Sequence, residues 1–424
     1  MSKLEAKELV PELRFSEFRE SEGWSQKKIK DIFSIFQGYA FSSTDGVSTG
    51  VRWLKIADVD ILKMNHNSPS FLPKPYEKEY GRFVVKKDDY VMALTRPILG
   101  GKLKIAPVDD VFDGALLNQR VGKLVTEGNS TFIYYLIQTS QLVSDMEKNI
   151  AGSEPPNLSS QQIKDIKTCI PSDEREQQKI ADCLSSMDDL IAASTQKLES
   201  LKSYKKGLMQ KLFPAEGKSV PELRFSGFDS EWVEVELNEL GCLVSGLTYA
   251  PEDVQDSGLL VLRSSNVQNG QICYEDSVFV SPNIKGANLS KPNDILICVR
   301  NGSKALIGKN ALIPSNIPLS THGAFMTIFR SEQAKFVFQL FQTFTYKKQV
   351  EADLGATINS INGKQFLKYK FVVPQDNNEK NQIVDFLSSI DDLIKAQFDK
   401  IETLKAHKKG LMQRLFPVVK GLAS

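Results

Sequence analysis

Histidine, tryptophan and cysteine are scarce in this chain of 424 residues, which contains three, three and five of them. The histidines, His66, His322 and His407, are too widely spaced to predict a metal cluster. The cysteines are odd in number, scattered and never spaced as C-x-x-C, so neither a disulfide framework nor a zinc site is predicted. We expect all five to be reduced core residues, namely Cys169, Cys183, Cys242, Cys273 and Cys298.

Long hydrophobic runs and a strong net charge are also missing. No stretch of about 18 apolar residues occurs, and the first residues lack the pattern of a secretory signal, so we expect a cytoplasmic chain with no membrane partner. A hydrophobic content of 41% and a charged content of 25% are typical of a soluble protein. The net charge of +1 does not by itself indicate nucleic-acid binding, which then requires basic residues to gather on one face.

Sequence motifs for catalysis are absent. The chain has no Asn-Pro-Pro-Tyr or Asp-Pro-Pro-Tyr turn and no glycine-rich cofactor loop, as a DNA amino-methyltransferase would require. Residues 302–310 resemble a phosphate loop but have one residue too many between the glycines, and Asn310 replaces the magnesium-binding Ser or Thr. We therefore predict no catalytic residue, no cofactor-binding residue and no metal site, and a chain that is not an enzyme.

The chain contains an internal repeat. The sequence Val-Pro-Glu-Leu-Arg-Phe-Ser occurs at residues 10–16 and again at 220–226. Each copy is followed by a tryptophan and, fourteen residues later, by a glycine, which are Trp24 and Gly38 in the first copy and Trp232 and Gly246 in the second. Both halves of the chain therefore begin alike.

A longer repeat closes each half. Residues 176–214 align without a gap on residues 379–417, with 24 of 39 positions identical. Just before them, Gly152 and Pro171 have the same offset as Gly355 and Pro374. The middle regions, roughly 50–150 and 258–353, match poorly. This contrast indicates a common scaffold that presents two surfaces of different specificity.

The long repeats carry apolar residues in a 4-3-4 heptad spacing, which predicts helices with a seam that pairs with another helix. Ser194 and Lys205 in the first copy, and Gln397 and Lys408 in the second, occupy polar seam positions. The predicted seam residues are Ile180, Leu184, Met187, Ile191, Leu198, Leu201, Leu208, Leu212, Ile383, Leu387, Ile390, Ile394, Ile401, Leu404, Leu411 and Leu415. The simplest arrangement pairs the two seams with each other; alternatively, each helix packs on its own globular module.

Other features of these helices suggest a spacing role. About 38 residues at 1.5 Å each give a rod of roughly 57 Å, which could hold two DNA-reading modules about one helical turn or more apart. Each helix ends in a lysine cluster, Lys202, Lys205 and Lys206 in one and Lys405, Lys408 and Lys409 in the other. These cations suit the negative end of the helix dipole, or could bind DNA phosphate or a partner subunit.

The predicted fold class is α/β (α+β), with two globular modules in a pseudo-two-fold arrangement joined by two long antiparallel coiled-coil helices. β-like runs at 51–56, 90–94, 259–263 and 295–299 alternate with turn residues, and helical stretches fall near 130–148 and 335–352. The predicted boundaries are 1–171 for the first module, 172–214 for its spacer helix, 215–374 for the second module, 375–417 for its helix and 418–424 for a tail.

Residues able to contact base edges or phosphates near turns are the candidates for DNA binding, because Arg and Lys suit guanine and Asn and Gln suit adenine. In the first module these are Arg52, Lys55, Arg96, Lys102, Lys104, Asn118, Gln119 and Arg120, and in the second Arg263, Asn266, Arg300, Asn301, Lys304, Lys309 and His322.

The order of motifs resembles a known family. A Gly-x-x-x-x-x-Leu-Ser stretch at 152–159, Ile170-Pro171, and Glu176-Gln177 leading to Ile180 precede a heptad helix, and the whole pattern is given twice. It is similar to the specificity subunit of Type I restriction-modification systems, in which the modules are target recognition domains. The second copy departs from the pattern with Val372-Val373-Pro374 and Glu379-Lys380, but its helix is intact.

The resemblance implies that each module reads one half of a split, asymmetric double-stranded DNA sequence. It also implies two modification (methyltransferase) subunits, which bring S-adenosylmethionine, and restriction (endonuclease/translocase) subunits, which use ATP and magnesium. Two alternatives remain: a coiled-coil adaptor that binds no DNA, favoured by the near-neutral charge, and a self-contained nuclease or methyltransferase, which the missing motifs disfavour.

Overall fold

The computed structural model describes residues 9–150, 155–354 and 359–417. It divides into two compact units, of which unit one falls within Met1–Ser194 and Lys400–Ser424 and unit two within Thr195–Asp399. The division passes through both long helices rather than between a module and its helix. Gly152, Gly355 and the predicted tail lie outside the described residues.

Unit one contains a mostly antiparallel β framework with short helices. Its strands are β1 (Ser25–Lys28), β2 (Ser34–Gln37), β3 (Val51–Leu54), β4 (Phe71–Leu72), β5 (Tyr90–Ala93), β6 (Ile98–Leu99), β7 (Lys102–Leu103), β8 (Ile105–Pro107), β9 (Leu116–Leu117), β10 (Val121–Val125) and β11 (Lys167–Ile170). Its helices are α1 (Tyr76–Glu79), α2 (Ser130–Leu136), α3 (Ser140–Ile150), α4 (Ser160–Ile163) and the first part of α5 (Glu174–Leu212).

Unit two contains a comparable set of strands and short helices. Its strands are β12 (Trp232–Glu236), β13 (Cys242–Ser245), β14 (Val254–Gln255), β15 (Leu259–Leu262), β16 (Val267–Gln268), β17 (Gln271–Ile272), β18 (Val278–Val280), β19 (Ile295–Cys298), β20 (Asn310–Leu312), β21 (Ser320–His322), β22 (Met326–Arg330) and β23 (Lys370–Pro374). Its helices are α6 (Leu237–Leu240), α7 (Ala334–Leu340), α8 (Phe344–Asp353), α9 (Gly363–Phe366) and the first part of α10 (Asn377–Leu415).

The two units share a sheet topology although their middle sequences match poorly. The four-stranded sheet has the order β2-β10-β5-β8 in unit one and β13-β22-β19-β20 in unit two. In each unit a strand of a second sheet also pairs in parallel, β3 with β9 and β15 with β21. The predicted mixed α/β class is confirmed, and so is the expectation of a common frame with different contents.

The predicted strands occur where the sequence places continuous apolar runs. The four residues of β19 are completely buried, as are Val91, Met92 and Ala93 of β5, because central strands covered on both faces need apolar side chains throughout. The helical stretch predicted near 335–352 is instead two helices. Thr343 divides them, because its hydroxyl accepts the amide of Tyr346 and caps a new helix.

The long helices have the predicted seam. Both α5 and α10 contain 39 residues, and all of the predicted seam residues are buried or half-buried. In unit one, Leu411 and Leu415 join the same core as Ile180 and Leu184, so the end of α10 packs against the start of α5. The polar position Lys408 pairs with Asp188 at 2.6 Å. This antiparallel pairing is the one that the seams predict.

Unit two contains the reciprocal pairing. Leu208 and Leu212, at the end of α5, pack in one core with Ile383 and Leu387 of α10. Lys205 pairs with Asp391 at 2.6 Å, the counterpart of the lysine pair in unit one. Lys205 and Lys408 of the basic clusters therefore form ion pairs within the units, and the aspartates, which lie next to seam positions, have a structural partner.

The first short repeat is a clasp segment (residues 10–16) that fixes the start of α5. Arg14 donates two hydrogen bonds to the Glu176 carboxylate, at 2.8 and 2.7 Å, and the Trp24 indole donates a third at 3.3 Å. Only 1% of the Glu176 side chain is exposed. These hydrogen bonds to the Glu176 carboxylate raise the pKa of Arg14, against the opposing effect of burial. The second clasp segment (residues 220–226) acts alike, with Arg224 and Trp232 donating to Glu379.

Each clasp segment also holds the far end of the other long helix. The Leu13 amide donates to the Arg414 carbonyl at 2.9 Å, and in unit two the Leu223 amide donates to the Lys211 carbonyl at 2.8 Å. These carbonyls lie in the last turn of their helices, where no intrahelical donor remains. The repeated heptapeptide is thus a structural device that joins two helix ends within each unit.

Two expectations need correction or limits. Cys169 and Cys298 are buried, and burial raises the pKa of Cys169 to about 11, but Cys242 is exposed and Cys183 and Cys273 are partly exposed. The expectation that all five cysteines are core residues is therefore wrong, because Cys242 begins strand β13, Cys273 follows strand β17, and Cys183 lies on a partly exposed face of α5. Among the described residues, no helix is long and apolar enough to cross a membrane.

Candidate nucleic-acid interface

A backbone crossing gives unit one a rigid turn at its surface. The Tyr39 amide donates to Leu117, and Gln119 donates back to the Tyr39 carbonyl at 2.8 Å. A Cβ atom on Gly38 would lie 2.3 Å from the carbonyl oxygens of Leu117 and Asn118, so only glycine permits this approach. We call residues 118–120, which directly follow Leu117 at the point where the two backbone segments cross, the crossing turn of unit one.

Unit two builds the same crossing from different residues. The Leu247 amide donates to His322 at 2.7 Å, and Ala324 donates back to Leu247 at 2.9 Å. A Cβ atom on Gly246 would lie 2.3 Å from the Gly323 carbonyl oxygen. Residues 323–325 are the crossing turn of unit two. The pair of glycines found in the sequence repeat therefore marks the crossing in both units.

The loop after the central strand docks on each crossing turn. The Leu94 amide donates to the Arg120 carbonyl at 2.9 Å, and in unit two the Val299 amide donates to the Phe325 carbonyl at 3.0 Å. These matched bonds establish which positions correspond. Asn118, Gln119 and Arg120 of unit one stand where Gly323, Ala324 and Phe325 stand in unit two, so the same backbone carries different chemistry.

The structure brings together several of the unit-one candidates. Arg96, Gln119 and Arg120 are exposed around the crossing turn, and the Arg96 amide donates to the Pro156 carbonyl at 2.8 Å. Arg96 has a φ of 48°, a left-handed conformation that directs its loop away from the strand. Asn118 is half-buried, and its side chain accepts the Arg120 amide. This cluster offers guanidinium and amide groups to a ligand.

The remaining unit-one candidates lie at its margins. Lys102 and Lys104 belong to the β6–β7 hairpin and the residue after it, and Lys102 is exposed. The Lys55 ammonium lies 3.8 Å from the centre of the Trp53 ring. Arg52 is held inside, with 11% of its side chain exposed and its guanidinium 4.5 Å from the Phe112 ring. Arg52 is therefore not available to DNA in this conformation, because its β-strand position points it inward.

Arg263, Arg300 and Asn301 of unit two gather at its crossing turn. Arg300 is exposed beside Phe325, and the Asn301 amide donates to the Ser264 hydroxyl at 3.1 Å. Arg263 precedes Ser264 but pairs with Asp276 at 2.7 Å, which reduces its availability. Lys304 and Lys309 lie farther along the loop, where they line an open cavity of about 440 Å³.

Two unit-two candidates do not face a ligand in this structure, because both side chains are completely buried. The Asn266 side chain accepts the Arg263 amide and donates to the Cys273 carbonyl, so it closes a turn. His322 donates from Nε2 to the Val244 carbonyl at 2.9 Å, and burial lowers the pKa of the imidazole. Both polar groups are used to satisfy the backbone inside the unit.

Sequence reasoning missed two aromatic residues at the crossings. Phe325 is 60% exposed and Tyr39 is 39% exposed. The Tyr39 ring packs in an aromatic group, with its centre 4.7 Å from that of Tyr80 and the two rings tilted by 46°. The composition of the segments does not distinguish such residues from core aromatics. An alignment of Arg120 with Phe325 would have identified Phe325 as a site position. The middle regions of the two modules are too divergent in sequence for that alignment.

Chemically, these surfaces offer cations, amides and aromatic rings but no metal-binding group of three or more His, Cys, Asp or Glu side chains within residues 9–150, 155–354 and 359–417. Positively charged and amide groups on rigid turns are suited to phosphate and base-edge contacts. The arrangement therefore fits binding of a nucleic acid.

Sequence comparison finds one family in both halves. The family described as Type I restriction modification DNA specificity domain matches residues 21–203 and 229–406. A relative, the Type I restriction enzyme MjaVIII specificity subunit of Methanocaldococcus jannaschii, is 33% identical over 45% of this chain and 45% of its own length. The EcoKI specificity subunit of Escherichia coli is 28% identical over 43% of this chain and 41% of its own. The chain thus aligns with less than half the length of these relatives.

Structure comparison gives matches over nearly the whole chain. The Type-I restriction-modification system S subunit from M. genitalium has a TM-score of 0.62 and 14% identity, covering 97% of this chain and 100% of that one. A chain from a structure of complex assembly and conformational transition of the type I R-M system has a TM-score of 0.54 and 16% identity, covering 93% and 97%. At such identities, the likeness shows a shared fold.

Proposed function

This chain belongs to the Type I restriction modification DNA specificity domain family, and we propose on that basis that it selects the DNA site for a Type I restriction-modification complex. Each unit would bind one half of a divided, asymmetric sequence in double-stranded DNA. The chain itself would perform no chemistry; methylation and cleavage would take place on partner subunits.

The observation that carries this proposal is the pair of crossing turns. Two units of one topology hold the turn with equivalent backbone hydrogen bonds, yet one presents Arg120 and the other Phe325. A scaffold with one constant backbone and two sets of surface side chains is what reading two different half-sites requires, because base edges are distinguished by side-chain donors, acceptors and apolar groups.

Affinity would come largely from phosphate contacts made by exposed cations such as Arg96, Lys102 and Arg300. The overall charge of +1 is compatible with this role because exposed arginines gather at the crossing turns, namely Arg96, Arg120 and Arg300. A DNA-reading role would place the chain in the cytoplasm.

The outer faces of the long helices would bind the partners. Leu190 is 42% exposed, and Leu393, at the equivalent position of the second repeat, is 57% exposed. Each follows an exposed aspartate, Asp189 or Asp392. One modification subunit would dock on each helix face, which makes two per chain, and restriction subunits would join them. The modification subunits would carry S-adenosylmethionine, and the restriction subunits ATP and magnesium.

Methylation mapping tests this function. We would express the chain with its modification subunits in cells without other adenine methyltransferases and map methylated adenines by long-read sequencing. A split motif that depends on this chain is expected. Replacing residues 20–170 with the equivalent part of a relative of different specificity should change one half of the motif and leave the other half unchanged.

The matched control replaces residues 230–373 in the same way and should change the opposite half. A motif that survives deletion of this chain, or one that changes in both halves after either replacement, would contradict the proposal. Leu190→Asp with Leu393→Asp should abolish methylation and co-purification of the modification subunits, while leaving the fold of each unit intact.

A further inference from the structure

Phe325 is a large apolar side chain that a rigid turn holds in solvent. Its carbonyl oxygen accepts hydrogen bonds from the amides of Val299 and Arg300, at 3.0 and 3.1 Å. On its other side, the Met326 amide donates to the Gly323 carbonyl at 2.8 Å. These bonds fix the backbone of the turn at a position where the ring is 60% exposed. Because exposing a phenyl ring to water costs free energy, its position indicates a contact with an apolar group of a ligand.

Arg300 covers one face of this ring. Its guanidinium carbon lies 5.7 Å from the centre of the Phe325 ring, in the range of a cation–π contact. Insertion of an aromatic wedge between two stacked bases needs both faces of the ring. With one face covered, Phe325 offers its edge and its second face, which suits a one-sided contact within a groove.

Unit one places Arg120 at the corresponding backbone position, where its carbonyl accepts the Leu94 amide as that of Phe325 accepts Val299. A guanidinium at this position suits the two major-groove acceptors of guanine. A phenyl ring has no donor, and the apolar group that the major groove offers is the 5-methyl group of thymine. The exchange of Arg for Phe on one backbone therefore changes which base pair fits.

We propose that Phe325 is a specificity-determining residue that contacts the 5-methyl group of a thymine in the half-site bound by unit two. The inference rests on the proposed function, because it requires that unit two bind DNA. Arg300 then contacts a phosphate close to this thymine, since its guanidinium carbon lies 5.7 Å from the ring centre, less than two base-pair rises of about 3.4 Å.

The test uses the complex with its modification subunits and the DNA motif found by methylation mapping. Each thymine of both half-sites is replaced singly by deoxyuridine, which removes only the 5-methyl group, and binding is measured by fluorescence anisotropy. For the native complex, one replacement in the unit-two half-site should weaken binding about fourfold, the effect of one methyl group leaving an apolar contact. Phe325→Ala should weaken binding to the unmodified duplex at least as much and abolish the difference between thymine and deoxyuridine.

Phe344→Ala is the matched control, because Phe344 is a 70% exposed phenylalanine of the same unit on α8; its complex should retain both the affinity and the fourfold difference. Native affinity of Phe325→Ala, or the same thymine preference in that variant, would overturn the inference. Weaker binding by Phe325→Ala with no deoxyuridine effect in the native complex would also overturn it, in favour of stacking on a base. Absence of any sequence-specific binding by the native complex would instead refute the proposed function.

Discussion

The buried ion pair between Arg14 and Glu176 permits a quantitative test of how the clasp segment stabilises unit one. Glu176→Gln keeps the side-chain volume and removes the charge. Arg14 then retains its hydrogen bonds to the Ser21 and Glu22 carbonyls, at 2.9 and 2.8 Å. Its guanidinium loses its counter-ion, although only 6% of the Arg14 side chain is exposed to water. An uncompensated buried charge of this kind costs about 3–5 kcal/mol.

The equivalent change in unit two, Glu379→Gln, is the internal control. Arg224 is 18% exposed and therefore better hydrated, so its loss should be smaller, about 2–3 kcal/mol. The double variant Arg14→Met with Glu176→Leu removes both charges and should recover most of the lost stability.

Unfolding of each unit can be followed separately by fluorine NMR of 5-fluorotryptophan during a urea titration, because Trp24 and Trp53 report on unit one and Trp232 on unit two. A loss below about 1 kcal/mol for Glu176→Gln, or a double variant as unstable as the single one, would contradict this role of the buried ion pair.

Three further changes should act as follows. Gly38→Ala should destabilise unit one by about 2 kcal/mol or more, because its Cβ would lie 2.3 Å from two carbonyl oxygens. In contrast, Gly207→Ala in α5, whose Cβ would meet nothing within 4 Å, should stabilise the protein by about 0.5–1 kcal/mol. Equal effects of the two changes in urea unfolding would contradict the close backbone crossing at Gly38. Since burial lowers the pKa of His322, unit two should lose stability as the pH falls below about 6.5, by at most ~1.4 kcal/mol per pH unit. His322→Gln should flatten this dependence of the free energy of unfolding on pH. An unchanged dependence would exclude His322 as its source. Lys408→Met should cost unit one about 1.5–3 kcal/mol through loss of its 2.6 Å contact with Asp188, and Asp188→Asn should add little in that background.

Much of the scaffold is predictable from the sequence because the long helices have a heptad periodicity and the two units share repeated segments. The heptad positions predict which helix face is buried, and a 39-residue helix has few other ways to satisfy such a seam. The repeated glycines likewise predict a special backbone site, although only the structure shows that Gly38 and Gly246 permit a close crossing. The function of the clasp segments was not predictable, because Arg14 and Glu176 are 162 residues apart.

The candidate interface was predicted less completely, for a physical reason. Arg, Lys, Asn and His have the same hydrogen-bonding groups whether they face a ligand or close a turn, so the sequence could not separate Arg96 from Asn266. Their environment decides: Arg96 lies on an exposed loop, whereas Asn266 is completely buried with its side chain bonded to backbone atoms. Exposed aromatic residues such as Phe325 pose the converse problem, since they look like core residues until the turn that holds them is known.

The division of the long helices between the units also affects the order in which the chain can fold on a ribosome. Unit two is one continuous stretch, Thr195–Asp399, whereas the core of unit one includes Leu415 and Phe416, and the Phe416 ring packs 6.0 Å from that of Trp24. The residues that begin unit one emerge first, but 205 residues separate Ser194 from Lys400, which is roughly 10–40 s of translation. Throughout that interval the core of unit one lacks the end of α10, so the unit whose synthesis begins first is completed last.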